Sequence, residues 1–278
     1  MYQVERTKNE VLTLRHEDIH AGWEQRYLLI SDVHFDSPCC DRKLLAKHLE
    51  QAKATGAGVL CIGDWFDAMG GKRDKRSSKS IVRQEDSKDN YFDLLVEHSA
   101  SFLSPYAGNL VMLGDGNHET AIRKHSETDL LKRLCRELGC QHMGYSGFVR
   151  MMFDAGNKRS SIDYYFNHGA GGGGPVTKGV IGNNRRATYV QADIFHTGHV
   201  HEASHQEYVR LRLNGKGCVY ESTEHHIITP GYKRDYVMSG GFAVERGFSP
   251  KPVGGYNLIF YYDAAQLGRV GYRFERVS

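Results

Sequence analysis

The chain has 278 residues, of which 40% are hydrophobic and 25% charged, with a formal net charge of +3. That length allows one large core or two small ones. No run of about 18 apolar residues occurs, which excludes a helical membrane span, and so small a net charge does not by itself announce a nucleic-acid binder. The first residues, MYQVERTKNEVLTLRHED, are polar and lack the apolar stretch of a signal peptide, so a cytoplasmic protein without membrane attachment is expected. The six cysteines agree. Cys39 and Cys40 are adjacent, Cys61 sits in an apolar run, and Cys135, Cys140 and Cys218 show no CxxC spacing, so reduced thiols are expected rather than a zinc ribbon or disulfide framework.

In chain order, RYLLISDVHFD predicts a strand with a polar end, and DRKLLAKHLEQAKATGAG a helix with Gly56 as its stop. VLCIGDWFD is a second such strand. A basic segment, GKRDKRSSKSIVR, follows, and then a helix in NYFDLLVEHSASFLSPYAG. NLVMLGDGNHE is a third strand and TDLLKRLCRELG an amphipathic helix. This alternation argues for an α/β fold with a mostly parallel sheet. The second half reads as strands in GFVRMMFD, SIDYYFNHG, DIFHTGHVHEA, HQEYVRLRL and NLIFYYDAAQLGRVGYRFERV, with one helix near Asn183 to Ala192. No repeat or Pro/Ser-rich linker interrupts the chain, so residues 1–278 are expected to form one domain, with an inserted basic loop over 70–88 and a glycine-rich loop over 169–182.

Every polar strand end carries groups suited to a metal. The first supplies Asp32 and His34, the second Asp64 and Asp67, and the third Asn117, His118 and Glu119; His168 follows a fourth strand, and His199 and His201 a fifth. Strand ends are where α/β proteins keep their chemistry. Residues two apart on a strand share a face, so Asp32 and His34 can reach one centre, whereas His199 and His201 diverge where strand gives way to loop. Gly, Asp and Asn are also ordinary turn formers, so GDGNHET alone would decide nothing. Nitrogen and oxygen donors without thiolate suit Mn, Fe, Zn or Ni. They are too many for one open site and fit two ions that share a carboxylate.

The five blocks DxH, GDxxD, GNHE, a lone His after a strand, and GHxH occur in that order from Asp32 to His201. In this the sequence resembles the calcineurin-like metallophosphoesterases. The resemblance implies a four-layer α/β/β/α sandwich with two mixed central sheets. It implies two divalent ions, manganese first, with Fe, Zn, Ni or Mg as substitutes. Asp32, His34 and His201 would hold one ion and Asn117, His168 and His199 the other, with Asp64 bridging. His118 would be the general acid facing the leaving group, oriented by Asp67. Two ions bring four positive charges; two aspartates and a bridging hydroxide remove three, leaving a surplus that attracts phosphate. Asp36 and Glu119 are expected to support the ligands rather than bind metal.

The substrate is less plainly written. Phosphoprotein phosphatases of this superfamily carry arginines where this chain has Ala68 and Asp115, and the better-known branch of the lipid A pathway pyrophosphatases carries arginine where it has His118. The superfamily's DNA-repair nuclease subunits match the pattern better, but their capping domain and partner motif are not recognisable. The basic segment directly follows GDWFD, so Lys72, Arg73, Lys75 and Arg76, with Arg185 and Arg186 opposite, could contact a polyanion backbone. The sequence thus points to a two-metal phosphodiester hydrolase acting on nucleic acid, DNA or RNA, or on nucleotides. The alternatives are a phosphomonoesterase on a small molecule or phosphoprotein, and a metal-bound scaffold without turnover. The glycine run Gly169 to Gly174 matches GxGxxG trivially and lacks GK[ST], so no nucleotide loop is inferred from it. His205, His225 and His226 read as surface or packed histidines, and TPGYKRDY as a strand connection.

Overall fold

A computed structural model describes all residues except 1, 9, 71–81, 157, 173, 175, 237–243, 245–246, 248 and 264–268. The chain folds into two mixed β-sheets packed face to face, with helices outside. In chain order the strands are β1 (Tyr2–Lys8), β2 (Val11–His16), β3 (Glu24–Ile30), β4 (Gly58–Ile62), β5 (Leu110–Gly114), β6 (Gln141–Met143), β7 (Ser146–Asp154), β8 (Arg159–Asn167), β9 (Ile194–Thr197), β10 (Ser204–Leu213), β11 (Val219–Ile228), β12 (Gly255–Asp263) and β13 (Arg269–Val277). The helices are α1 (Arg42–Ala54), α2 (Tyr91–Leu103), α3 (Asn117–Ser126), α4 (Leu130–Leu138) and α5 (Val180–Arg186).

The first sheet has the order β1-β2-β7-β8-β9-β11-β10 and the second β13-β12-β3-β4-β5-β6. In the second sheet β3, β4, β5 and β6 are parallel, as successive strand–helix units require, while β12 and β13 close the other edge antiparallel. In the first, β8, β9 and β11 are parallel to one another.

Side-chain alternation builds the layers. From β3, Tyr27 and Leu29 point between the sheets, meeting Leu12, Leu14, Val149, Met151, Tyr164 and Phe166 of the first sheet. The intervening Leu28 and Ile30 point the other way, onto Leu45 and Leu49 of α1. β4 divides likewise, Leu60 and Ile62 inward and Val59 and Cys61 toward the helices. A parallel strand buried on both faces must be apolar throughout, which explains the unbroken run VLCI. Tyr165, Ala192 and Phe195 form a small outer cluster with Ala187 and Val190 beyond α5, so a thin fourth layer covers the first sheet. The result is a four-layer α/β/β/α sandwich.

Four strands escape the sequence reading: β1, β2, β6 and β11. α3 does too, since its first turn is the GNHE stretch itself. The expected helix near Asn183 to Ala192 forms earlier, over α5, and gives way to a turn by Thr188. Among the described residues, no helix is long and apolar enough to cross a membrane.

Candidate metal centre

Five strand ends meet at one rim of the sandwich. β3, β4 and β5 bring the loops with Asp32 and His34, Asp64 and Asp67, and Asn117 and His118; β8 and β9 bring His168, and His199 with His201. The cluster therefore draws on both sheets. The loops after β3 and β4 stay laced by main-chain bonds beyond the strands, Asp32 N–H to Gly63 O at 3.0 Å and His34 N–H to Asp64 O at 3.0 Å. Across the sheets, the His199 N–H donates to the Asp32 carboxylate at 2.9 Å.

The strand pleat does not do the aiming. β3 ends at Ile30, and Asp32 and His34 lie beyond it with φ of 49° and 48°. Asp64, His199 and His201 also have positive φ, at 53°, 70° and 53°. Five non-glycine residues in the left-handed region are held there by their surroundings, at a cost of about 1–3 kcal/mol each. Glycines provide close approach instead. A Cβ on Gly116 would stand 2.5 Å from the Asp64 main-chain nitrogen, and one on Gly198 2.5 Å from Asp32 Oδ2. Neither loop could close on its carboxylate with a larger residue.

Potential ligand atoms fall into two triads, Asp32, His34 and His201, and Asp64, His168 and His199, each set mutually within 4.8 Å. Asp64 also joins His34 and His118 within the same limit, so its carboxylate lies between the triads. Asn117 Oδ1 faces His168 Nε2 at 3.1 Å and His199 Nδ1 at 2.8 Å, completing the second group. His168 Nδ1 donates to the Ile62 carbonyl at 3.0 Å, which turns Nε2 into the centre.

Two observations test whether cations fit. His34 Nε2 is buried and has no hydrogen-bond partner among the described residues, a costly arrangement for an imidazole unless something binds there. Asp32, Asp64 and Asp67 are also buried together. Burial would lower the His168 pKa, but the Asp64 and Asp32 carboxylates outweigh it and raise it to about 10, so the protein's own imidazole becomes the countercharge. Burial would likewise raise the Asp64 carboxyl, yet His168 and His118 hold it well below the usual range. A site that recruits protons in this way suits divalent ions.

His118 lies in the first turn of α3 and is only slightly exposed. Its Nδ1 donates to the main-chain carbonyl of Asp67 at 2.7 Å, while the Asp67 carboxylate is 3.9 Å away. That carboxylate instead lies 2.8 Å from His34 Nδ1 and 3.2 Å from Lys233 Nζ. The expected orientation of His118 by Asp67 is thus made by its backbone, and the side chain orients His34. Asp36 accepts the N–H groups of Asp67 and Ala68 at 2.7 and 2.8 Å, and Glu119 accepts those of Asp64, Phe66 and Gly116 at 3.0, 3.0 and 2.8 Å. Both acids pin loops rather than face the centre.

Lys233 brings TPGYKRDY, expected as a strand connection in preference to a substrate-facing loop, up to the centre. Asn183 is likewise new: buried, it accepts from Thr197 Oγ1 at 2.6 Å and ties α5 to the end of β9. Arg186 bonds Asn183 Oδ1 at 3.0 Å, and Arg185 is exposed. Lys72, Arg73, Lys75 and Arg76 lie outside the described residues. At the edge of the basic segment, Arg83 is committed to the Ser37 and Cys40 carbonyls at 3.1 and 3.4 Å.

No protein-family model matches the sequence, and no curated protein does. Among solved structures, the chain is similar to a metallophosphoesterase from Sphaerobacter thermophilus, with 13% identity over 91% of this chain and 88% of that one and a TM-score of 0.36. It is similar to Entamoeba histolytica Vps29 complexed with zinc, at 14% identity over 91% and 100% of the two chains and a TM-score of 0.36. It is also similar to GAP50 of Plasmodium, at 12% identity over 92% and 85% and a TM-score of 0.39. What the site does has to be read from its own side chains.

Proposed function

We propose that the protein is a two-metal phosphodiester hydrolase whose substrate is nucleic acid or a nucleotide. The observation that carries this reading is the pair of ligand triads, with Asp64 of the second also grouped with His34 of the first. Asp32, His34 and His201 would hold one divalent ion, Asn117, His168 and His199 the other, and Asp64 both. Manganese is the favoured metal, and the donors also suit Fe, Zn or Ni. A pair of such ions supplies the Lewis acidity that phosphoester hydrolysis needs.

The protein's own groups do the rest. His118 Nδ1–H is fixed on the Asp67 carbonyl, so Nε2 is the atom left to hold a proton for the departing oxygen. Asp67 orients His34 and neutralises Lys233, so that lysine adds little net charge to the centre. Asp115 stands where an arginine would grip a phosphate, and its carboxylate is forked onto Arg123 at 2.9 Å. With alanine and aspartate at the two arginine positions, Ala68 and Asp115, the centre suits the single negative charge of a phosphodiester better than a dianionic monoester. Lys72, Arg73, Lys75, Arg76, Arg185 and Arg186 are proposed, from their place in the sequence, as backbone contacts.

The test pairs a bis-aryl phosphodiester with its monoester, with Mn²⁺ added or chelated, in wild type and Asp64→Asn. Metal-dependent turnover that prefers the diester and fails in Asp64→Asn is expected. Undiminished turnover after chelation would overturn the mechanism. A preference for the monoester would make the protein a phosphomonoesterase.

A further inference from the structure

His205 and Glu207 are two apart on β10 and share a face, and Glu207 stands directly opposite His225 on β11. Their polar atoms converge. His205 Nε2 lies 3.0 Å from His225 Nδ1, and each lies 3.8 Å from Glu207 Oε1. Three donors held around one tetrahedral zinc-type ion stand about 3.3 Å apart, so the observed triangle needs shifts of only a few tenths of an ångström.

The surroundings favour the same geometry. β13 of the opposite sheet presents Phe274 with its ring 4.7 Å from that of His205 and 5.3 Å from that of His225, and Tyr272 at 5.1 Å from His225. These rings back the imidazoles and restrict their rotamers. Glu207 is 61% exposed, so an ion has a path in and a coordination position open to water. No lysine or arginine pairs with Glu207 among the described residues. The contrast is the Asp115, Asp129 and His142 cluster, which also converges but already holds a cation, the Arg123 guanidinium.

We infer that His205, Glu207 and His225 form a second metal site, for a zinc-type divalent ion, that clamps the β10–β11 hairpin at the free edge of the first sheet. Two imidazoles and a carboxylate with an open position suit Zn²⁺, Ni²⁺ or Cu²⁺ over Mn²⁺ or Mg²⁺. In the metal-free hairpin the two facing nitrogens share one N–H. Binding moves that proton to the far nitrogen of its own ring, with no net release when both rings are neutral. The inference is independent of the phosphoesterase reading.

The test is Zn²⁺ titration of the full chain carrying ¹⁵N-labelled histidine, followed by the imidazole resonances of His205 and His225, assigned through His205→Gln and His225→Gln. Both rings are expected to shift together, and only the ring that donates in the metal-free pair to change tautomer. Glu207→Gln and His205→Gln should weaken the Zn²⁺ affinity read from the His225 shift by more than the roughly 10–100-fold that loss of an outer partner causes, while Mn²⁺-dependent phosphoester hydrolysis stays unchanged. If both rings keep their metal-free signals while Zn²⁺ saturates elsewhere, the pair is a simple histidine–histidine hydrogen bond and the site does not exist. The same follows if the His225 shift survives Glu207→Gln with unchanged affinity. Glu207 is the most exposed of the three, so Glu207→Gln keeps the comparison available should either histidine variant fail to fold.

Discussion

Asp67 contributes its carboxylate to His34 and Lys233 and its carbonyl to His118, so one loop residue organises a proposed ligand and a proposed acid through different atoms. Removing His118 should then damage proton delivery without emptying the metal centre. His118→Gln is expected to lower kcat by about 10²–10⁴ on esters with poor alkyl leaving groups, and far less on nitrophenyl esters, whose leaving group departs without a proton. Steady-state rates across a leaving-group series would check this, and an equal loss on every ester would remove His118 from the acid role. At this scale the sequence was legible where chemistry fixes residue type: the acids, amide and imidazoles at the strand ends. It was silent on how they are aimed, because left-handed backbone at Asp32, His34, Asp64, His199 and His201 leaves no mark when the residue is not glycine. Lys233 was hidden for a different reason. Its contact joins residues 166 positions apart and belongs to no motif.

Among the elements, β2 shows how a buried polar residue sets a condition on stability. His16 is stacked on Phe153, donates from Nδ1 to the Met152 carbonyl at 2.9 Å, and receives the Tyr27 hydroxyl on Nε2 at 2.8 Å. Burial lowers its pKa from 6.5 to about 4. Between those values the unfolded chain binds more protons than the folded one, so this contribution is fully present above pH 6.5 and is lost as pH falls toward 4. The loss amounts to about 3 kcal/mol. Urea titrations from pH 7 to pH 4 should show a smaller decline in His16→Phe than in wild type; equal slopes would mean that His16 carries no such cost. The same strand explains part of what the sequence concealed. β1 is nearly all exposed and pairs only along the edge of β2, so it carries no core pattern. β11 is exposed over most of its first half. α3 buries His118, Glu119 and Ile122, two of them polar, so helical periodicity of apolar residues could not reveal it. By contrast, β3, β4 and β5 each end an apolar run at a polar stop, and all three were readable.

For the molecule as a whole, metal binding and folding should be coupled, since the centre gathers the buried carboxylates of Asp32 and Asp64 around His168 and that of Asp67 against Lys233. Mn²⁺ at a hundred times its dissociation constant should stabilise the native state by about 2.7 kcal/mol. Thermal melts across a Mn²⁺ series would show a rising midpoint in wild type and little change in Asp64→Asn; a midpoint indifferent to metal would contradict the ligand assignment. The architecture itself followed from the order of the blocks more than from hydropathy, because alternation predicts strands without saying which sheet each joins. Proposed ligands after β3, β4 and β5 meet those after β8 and β9 across the interface between two separate sheets. The centre is therefore a gauge of alignment between the layers. A core substitution that let one sheet creep past the other by an ångström would leave each sheet's hydrogen bonds whole, yet pull the two halves of the ligand set out of reach, and loss of metal affinity would announce the slip well before unfolding did.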